Sequence, residues 1–430
     1  MRRSAIKTLF FVIPAHSDMY TALPVAEELV GRGEEVVFYT TEQFAPAVRA
    51  AGAGFRPLDP EPVRLYEQLS GGSPLSSMAD VGKVVEQFGP LIARLLVEGL
   101  RTVPAMVEQV RAERADRIVY NTMCPWGMAL ARMLGLPAAT FSTTFVMKPG
   151  SDFEQMFAAA APDAMADMWG AVAATVDELH ARHGVPRLRV SDMIAPDEPL
   201  NLVPITRQFQ PDADSLDERY AFVGPSIRPL AGDDDFPFDR LAGGPVLYVS
   251  LGTHISRGSG AGFARLCFEA FADSRWQVVF ATGRGTDIGS LGPVPANFLV
   301  ETFVPQLAVL ERADVFVTHG GVNSVQESIW YGVPMVGIPH TIEQLVNTGR
   351  ATELGLGAQL LPGTVTAAAL RQAVDTVADD PGYRERLAEA SALSKAAGGY
   401  RRAAELIMAA GERRTVPQSQ TPLTRAEPIR

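Results

Sequence analysis

The segment Val315–Gln344, VFVTHGGVNSVQESIWYGVPMVGIPHTIEQ, concentrates residue types able to bind a charged, hydroxylated ligand. A β-rich apolar run ends at Thr318, His319-Gly320-Gly321 turn the chain, and a helical pattern follows from about Asn323. Small residues at a strand-to-helix turn expose backbone N–H groups, and the helix N-terminus adds positive potential. That makes an anion site without a single lysine, suited to a diphosphate. Glu327 lies one turn after Asn323 on the same helix face, where a carboxylate could grip a sugar diol. Upstream, Phe303-Val304-Pro305-Gln306 follows another strand, and Phe303 could stack on a flat base. Downstream, Glu343 and Gln344 follow a strand ending at Pro339, and an acid beside an amide reads hydroxyls well. Each feature also has a bland reading. A Gly-Gly turn is often mere geometry, a Phe before Val-Pro is often core, and a Glu-Gln pair often starts a solvated helix. Their order at successive strand ends favours the joint reading.

The positioning elements repeat one theme. Thr8–Ile13, Glu35–Thr40, Arg117–Tyr120 and Ala138–Ser142 read as buried strands, with a loop over Pro14–Met19 and a helix over Tyr20–Arg32. Asp59–Asp80 reads as a loop and Val81–Glu113 as one or two helices. Pro149–His183 is rich in Ala and Met: either an amphipathic helix packed on the domain or a lining for an apolar ligand, with Met147–Trp169 as an acceptor wall. Gly224–Gly244 is dense in Pro, Gly and Asp, as linkers are. The theme restarts with Val246–Leu251, Gln277–Ala281, Phe298–Glu301, Val315–Thr318 and Met335–Ile338. Alternation of strand and helix implies parallel doubly wound sheets, whose ligands bind at the carboxyl ends of strands. Two such sheets facing each other make a cleft.

The 430 residues carry 38 Lys plus Arg against 49 Asp plus Glu, a net charge of −11, with 47% apolar and 20% charged residues. This excludes a disordered chain and argues against nucleic acid as the main partner. Two cysteines, Cys124 and Cys267, cannot build a disulfide framework, which suits a reducing, cytoplasmic compartment. The first apolar run stops at Pro14, too short for a signal peptide, and no run of about 20 apolar residues spans a membrane. The polar tail after Gly411 reads as disordered.

PAHSDMYTALPVAEELVGRGEEVVFYT, PITRQFQPDAD, FVGPSI, HGGVNSVQE and the final GGYRRAAELI together resemble the nucleotide-sugar-dependent family 1 glycosyltransferases, especially bacterial macrolide and antibiotic glycosyltransferases. The resemblance implies an α/β GT-B fold, two Rossmann-like domains with an interdomain cleft. On that basis residues 1–224 bind the acceptor, 225–244 link, 245–398 bind the donor, 399–412 cross back as a helix and 413–430 form the tail. By position, the resemblance sets Phe303 against the uracil or thymine ring where Trp is usual, and Val304 and Gln306 near the base or ribose. It sets Glu327 on the ribose hydroxyls. Thr253, His319, Gly321, Asn323 and Ser324 fall on the diphosphate, and Glu343 and Gln344 on the transferred sugar. It implies a hexose moved with inversion from a UDP-sugar to a small lipophilic acceptor such as a macrolide, polyketide or phenol. The nucleotide sugar is then the co-substrate, no metal or other cofactor is needed, and the protein is a monomer or homodimer.

The chain departs from the family at the base. Inverting members use a His near the N-terminus, in a run that reads PAHGHVNPTLP, with a helper Asp after a later strand. Here the run is Pro14-Ala15-His16-Ser17-Asp18-Met19-Tyr20-Thr21-Ala22-Leu23-Pro24, so the base position holds Asp18 and the helper position Asn121. Three readings stand open. Asp18 is the base, its pKa raised by desolvation and suited to an acidic acceptor such as a phenol. Or His16 swings in as base with Asp18 orienting it, which requires a loop geometry. Or proton abstraction is dispensable or lost, and the chain is an auxiliary or binding protein or has an acceptor that needs no base. Asn121 has its own bland reading, an amide capping the turn after its strand. His180 and His183 lie three apart but lack a third metal ligand, His254 could touch a phosphate, and His340 reads as structural.

Overall fold

The computed structural model describes residues 5–58, 61–62, 64–65, 81–148, 150, 155, 159, 161–228, 236–241, 243–252, 260–283 and 286–412. Among them, β1 (Lys7–Phe11), β2 (Glu35–Thr40), β3 (Gly54–Pro57), β4 (Arg117–Asn121), β5 (Ala138–Phe141), β6 (Asn201–Val203) and β7 (Tyr220–Phe222) pair in the order 3-2-1-4-5-6-7. A second sheet holds β8 (Val246–Ser250), β9 (Gln277–Ala281), β10 (Phe298–Glu301), β11 (Val315–Thr318), β12 (Met335–Gly337) and β13 (Gly357–Gln359), in the order 10-9-8-11-12-13. Every pairing is parallel. Two Rossmann-like sheets therefore follow each other along the chain.

Both sheets are buried on two faces, which is why their central strands read as unbroken apolar runs. On the first sheet, Leu9 and Phe11 enter one core with Leu95, Trp126 and Val172. Phe10 and Val12 enter the other, with Val25 and Leu29 of helix His16–Gly31 and Ala403 and Ile407 of the final helix Gly399–Glu412. In each sheet the strand order reverses once, between β1 and β4 and between β8 and β11. Connections leave in opposite directions there, and a crevice opens at the carboxyl ends. The register puts Phe11 beside Tyr120 and Thr318 beside Ser250, so the segments after these four strands converge in pairs.

Several boundaries differ from the sequence reading. The helix expected from Tyr20 begins at His16, so His16 and Asp18 occupy its first turn rather than a loop. Ala15 is the extended N-cap, and a carboxylate in the first turn is favoured by the helix dipole. β1 leaves the ladder at Phe11 although Val12 and Ile13 remain buried, because the chain must turn into that helix. β3, β6, β7 and β13 went unread: three or four residues each, at or near sheet edges, they carry too little apolar pattern. Val81–Arg101 and Val103–Ala112 are two helices. In helix Pro162–His183, Met168, Val172 and Val176 are buried and Trp169 packs against the same core, so there the bland reading holds. Met156, in the proposed acceptor wall, lies outside the described residues, as does the tail 413–430.

The two domains share an apolar cluster. Phe145, Ile205 and Phe209 of the first pack with Val322, Val325 and Ile329 of the second. Arg350 adds donors to the carbonyls of Gln208 at 2.8 Å and Phe209 at 3.1 Å.

A buried ion pair ties the final helix to the first sheet. Arg117 on β4 is 4% exposed and meets both carboxylate oxygens of Glu34. Its Nε donates to Thr8 Oγ1 at 2.8 Å and its Nη1 to the Ile407 carbonyl at 2.7 Å. Removing one partner of such a pair leaves the other charge buried and alone. Arg117→Ala is expected to cost about 3–5 kcal/mol in denaturant unfolding. Arg117→Met with Glu34→Leu should recover most of that loss. A single mutant as stable as the parent would show that the pair holds nothing.

Candidate functional site

The first crevice is built around Asp18, which is 7% exposed. Its Oδ1 accepts from Asn121 Nδ2 at 2.8 Å and from the Thr143 hydroxyl, and its Oδ2 from the Ser17 hydroxyl at 2.9 Å. Helix His16–Gly31 brings Asp18, the end of β4 brings Asn121, and the turn after β5 brings Thr143. Burial pushes the Asp18 carboxyl above the ordinary carboxylate range, and the bonds from Thr143, Ser17 and Asn121 offset only part of that push. The two positions that depart from the family pattern are thus direct partners.

Asn121 also fulfils its bland reading. Its Oδ1 accepts the Met123 amide at 2.8 Å, which caps the turn and aims the Nδ2 hydrogens at Asp18 and Thr143. The amide is fully buried. His16 lies elsewhere on the helix, its ring 5.2 Å from Phe44 and 6.4 Å from Tyr20. Residues two apart on a helix diverge by more than half a turn. Thr143 and Ser17 were missed from sequence; the one available signal was a hydroxyl just past a strand end, the place where Asn121 was found.

The second crevice is built on the turn between β11 and helix Val322–Tyr331. Gly320 has φ +85, and a Cβ there would meet Thr348 Cγ2 at 2.1 Å, so only glycine fits. The His319 ring covers Gly321 and Gly252, where added Cβ atoms would lie 2.7 and 2.8 Å from it. Gly321 is the N-cap and offers no side chain, leaving the helix start to its backbone N–H groups. The Val322 amide donates to Glu343 Oε1 at 3.3 Å, and Asn347 Nδ2 bridges Glu343 Oε1 at 2.6 Å and the Gly320 carbonyl at 3.0 Å. Desolvation by the surrounding atoms raises the Glu343 carboxyl, opposed by the Asn347 and Val322 bonds and assisted last by the negative charge of Asp18 from the other domain. Glu343 stays open to solvent at the cleft, so this push counts for less than that on Asp18.

Glu327 sits with Gln306, whose Nε2 donates to it and lies 3.3 Å from Ser324 Oγ, while the Tyr248 hydroxyl donates to Gln306 Oε1 at 3.1 Å. Burial pushes Glu327 up to about 7. Phe303 is 72% exposed, so the core reading fails for it and an open aromatic face remains. Val304 is corrected: its side chain is 3% exposed in the core beside Phe316 and Val309, and only its backbone can face a ligand. Gln344 follows its bland reading in part. It forms a capping box with Thr341, its Oε1 accepting the His340 and Thr341 amides, so a hydroxyl must be met by its Nε2. Thr253 and His254 lie outside the described residues.

His180 Nδ1 is 2.9 Å from the Val185 carbonyl at its helix end, and burial lowers the pKa of His340. Among the described residues no three His, Cys, Asp or Glu gather as metal ligands, and no helix is long and apolar enough to cross a membrane.

Glu327 provides a test in two directions. Its folded pKa exceeds the ordinary carboxylate value, so its contribution to stability is complete below about pH 4.3 and is lost as pH rises towards 7. Glu327→Gln should therefore gain thermal stability over the parent progressively from pH 5 to pH 8, while UDP affinity by calorimetry falls roughly tenfold or more. Unchanged affinity would remove Glu327 from the ligand site.

Residues 242–397 match the family described as UDP-glucoronosyl and UDP-glucosyl transferase. The NDP-glycosyltransferase YjiC of Bacillus licheniformis is 32% identical over 401 residues, 93% of this chain and 96% of that protein. The oleandomycin glycosyltransferase of Streptomyces antibioticus is 30% identical over 406 residues, 93% of this chain and 89% of its own. Among solved structures, the calicheamicin glycosyltransferase CalG4 matches with a TM-score of 0.79 at 30% identity, over 97% of this chain and 100% of that one. Similarity that runs through both sheets and nearly the whole chain makes this protein a member of the UDP-glucuronosyl and UDP-glucosyl transferase family, a hexosyltransferase of GT-B fold.

Proposed function

We propose that the protein moves a hexose from a nucleoside diphosphate, UDP in the first instance, to a hydroxyl of a small lipophilic acceptor, with inversion, and that Asp18 is the base. The observation that carries this reading is the Asp18 carboxylate itself: buried, held by Asn121, Thr143 and Ser17, and raised in pKa where the family places its base. The names of the oleandomycin and calicheamicin glycosyltransferases support an acceptor of the natural-product kind.

In this mechanism the acceptor hydroxyl gives its proton to Asp18 as its oxygen attacks the anomeric carbon. The bond from that carbon to the diphosphate breaks on the opposite face, and its electron pair leaves with the phosphate oxygen. The helix start at Gly321–Ser324, whose Val322 amide is shared with Glu343, receives the growing charge. Glu343 and the Nε2 of Gln344 meet hexose hydroxyls, Glu327 the ribose, and Phe303 the base. The nucleotide sugar is the only co-substrate, and no step needs a metal.

A carboxylate base favours acidic acceptors. A phenol has a pKa near 10, whereas an alkyl hydroxyl resembles water, roughly 15.7. At about 1.4 kcal/mol per unit, the alkyl proton is uphill by roughly 8 kcal/mol more. Burial raises the Asp18 carboxyl above the ordinary carboxylate range, and phenols, the more acidic acceptors, gain most from such a base.

The test is UDP release and product mass with UDP-glucose and paired phenolic and alkyl acceptors. Phenols should react faster. Asp18→Asn should lower transfer about 10²–10⁴-fold with UDP still bound, and His16→Ala should keep most of it. Wild-type rate should fall as pH drops through the raised Asp18 pKa, above the ordinary carboxylate range, because only the ionised form accepts the proton. An Asp18→Asn enzyme at full rate, or His16→Ala alone inactive, would overturn the assignment.

A further inference from the structure

Asn323 stands on the first turn of helix Val322–Tyr331, where the resemblance gives it a phosphate to bind. Its amide is already engaged with the other domain. Nδ2 donates to the Ser17 carbonyl at 2.9 Å. The Thr21 hydroxyl donates to the same carbonyl at 2.7 Å and lies 3.3 Å from Asn323 Oδ1. The Ser17 carbonyl is therefore clamped from two sides, by Thr21 of its own helix and by Asn323 from across the cleft. The Ser17 hydroxyl in turn donates to Asp18 Oδ2 at 2.9 Å.

An amide nitrogen carries two hydrogens, and the Ser17 carbonyl takes one. The second remains for a diphosphate oxygen at the same helix start. One half-buried side chain can thus touch the leaving group with one hydrogen and hold the turn that carries Asp18 with the other.

We propose that Asn323, steadied by Thr21, is a positioning residue that fixes the Ser17–Asp18 turn at a set distance from the leaving diphosphate, so that the two halves of the site align only when this clasp is made. The inference rests on Asp18 as the base and goes beyond it. The physical weight comes from geometry: the base is on one domain, the leaving group on the other, and a misplacement of about 1 Å can cost 10²-fold in rate. The shared apolar cluster brings the domains together, but it packs against the far side of helix Val322–Tyr331 through Val322, Val325 and Ile329. Arg350 ties the domains through Gln208 and Phe209, and the Asn323–Ser17 bond is the polar contact that meets the turn carrying Asp18.

Thr21 gives a clean test, since it touches neither substrate in this reading and is 5% exposed, where Val is isosteric. Steady-state kinetics would use the full chain with UDP-glucose and a phenol, alongside UDP calorimetry and thermal melts. Thr21→Val should lower kcat about tenfold while the donor KM and UDP Kd stay within twofold. Thr21→Ser, which restores the hydroxyl, should recover kcat. Asn323→Ala should lower kcat and also weaken UDP, because it loses the phosphate hydrogen as well. The double variant should have the kcat of Asn323→Ala, not the product of the two losses, as members of one contact do. Thr21→Val at wild-type kcat, no recovery in Thr21→Ser, or multiplicative losses would overturn the clasp. Asp18→Asn run in parallel separates the layers: an inactive Asp18→Asn with multiplicative losses removes the clasp alone, and a fully active one removes the base on which it rests.

Discussion

Keeping the Asp18 carboxylate nearly out of water is expensive, and the first domain is arranged around meeting that cost. A buried carboxylate needs donors on both oxygens. Asn121, Thr143 and Ser17 supply them from three separate elements, the end of β4, the turn after β5 and the first turn of helix His16–Gly31. None of these donors is a cation. The group is therefore held in place without being pinned as a stable ion, and its pKa remains high. Arginine in the position of Asn121 would hold it as firmly and leave it a poor base. Strand order brings the donors together: β1 and β4 are neighbours at the point where the sheet reverses direction, and β5 lies next to β4.

How much of this was legible in the sequence depends on the length scale of each signal. Central strands such as Glu35–Thr40 and Gln277–Ala281 are marked by unbroken apolar runs, because both faces are covered. β6 and β13 are three residues each and carry no such run. The start of helix His16–Gly31 was hidden because its first turn contains Ser17 and Asp18, which also suit a loop, and because Pro24 interrupts the pattern. Asp18 and Asn121 could be paired through the family pattern, although 103 residues separate them. Thr143 could not, since a hydroxyl in a turn has no periodicity and its partner is 125 residues away. The side chains of Phe303 and Val304 part because neighbours in sequence at a strand end point in opposite directions: Phe303 faces solvent while Val304 enters the core and leaves only its backbone for a ligand.

The second domain solves an opposite electrostatic problem. The chain carries a net charge of −11, yet its candidate donor site has to attract an anion. The helix start at Gly321 does so with backbone dipoles, whose field is local and whose N–H groups are directional. A Gly-Gly turn is the condition for this, since Thr348 crowds Gly320 and the His319 ring crowds Gly321. Two carboxylates of the same domain stand near this helix, and Glu343 accepts its Val322 amide. Glu327 is oriented by Gln306, itself fixed by Tyr248, and Glu343 is oriented by Asn347.

Across the cleft, then, two carboxylates face each other from different domains, and the charge of Asp18 is felt at Glu343. Carboxylates only accept hydrogen bonds when ionised, so a ligand between them is most stable when it donates in both directions. In the proposed function a hexose would meet that demand on the Glu343 side and an acceptor hydroxyl on the Asp18 side. A lone water between them has just two hydrogens to give and leaves the remaining lone pairs unmet. The clasp between Asn323 and Ser17 lies at the border of these two regions, where the attractive end of one helix meets the acidic turn of another. In the proposed function the diphosphate goes to the helix start and the acceptor hydroxyl to Asp18, and this contact joins the two.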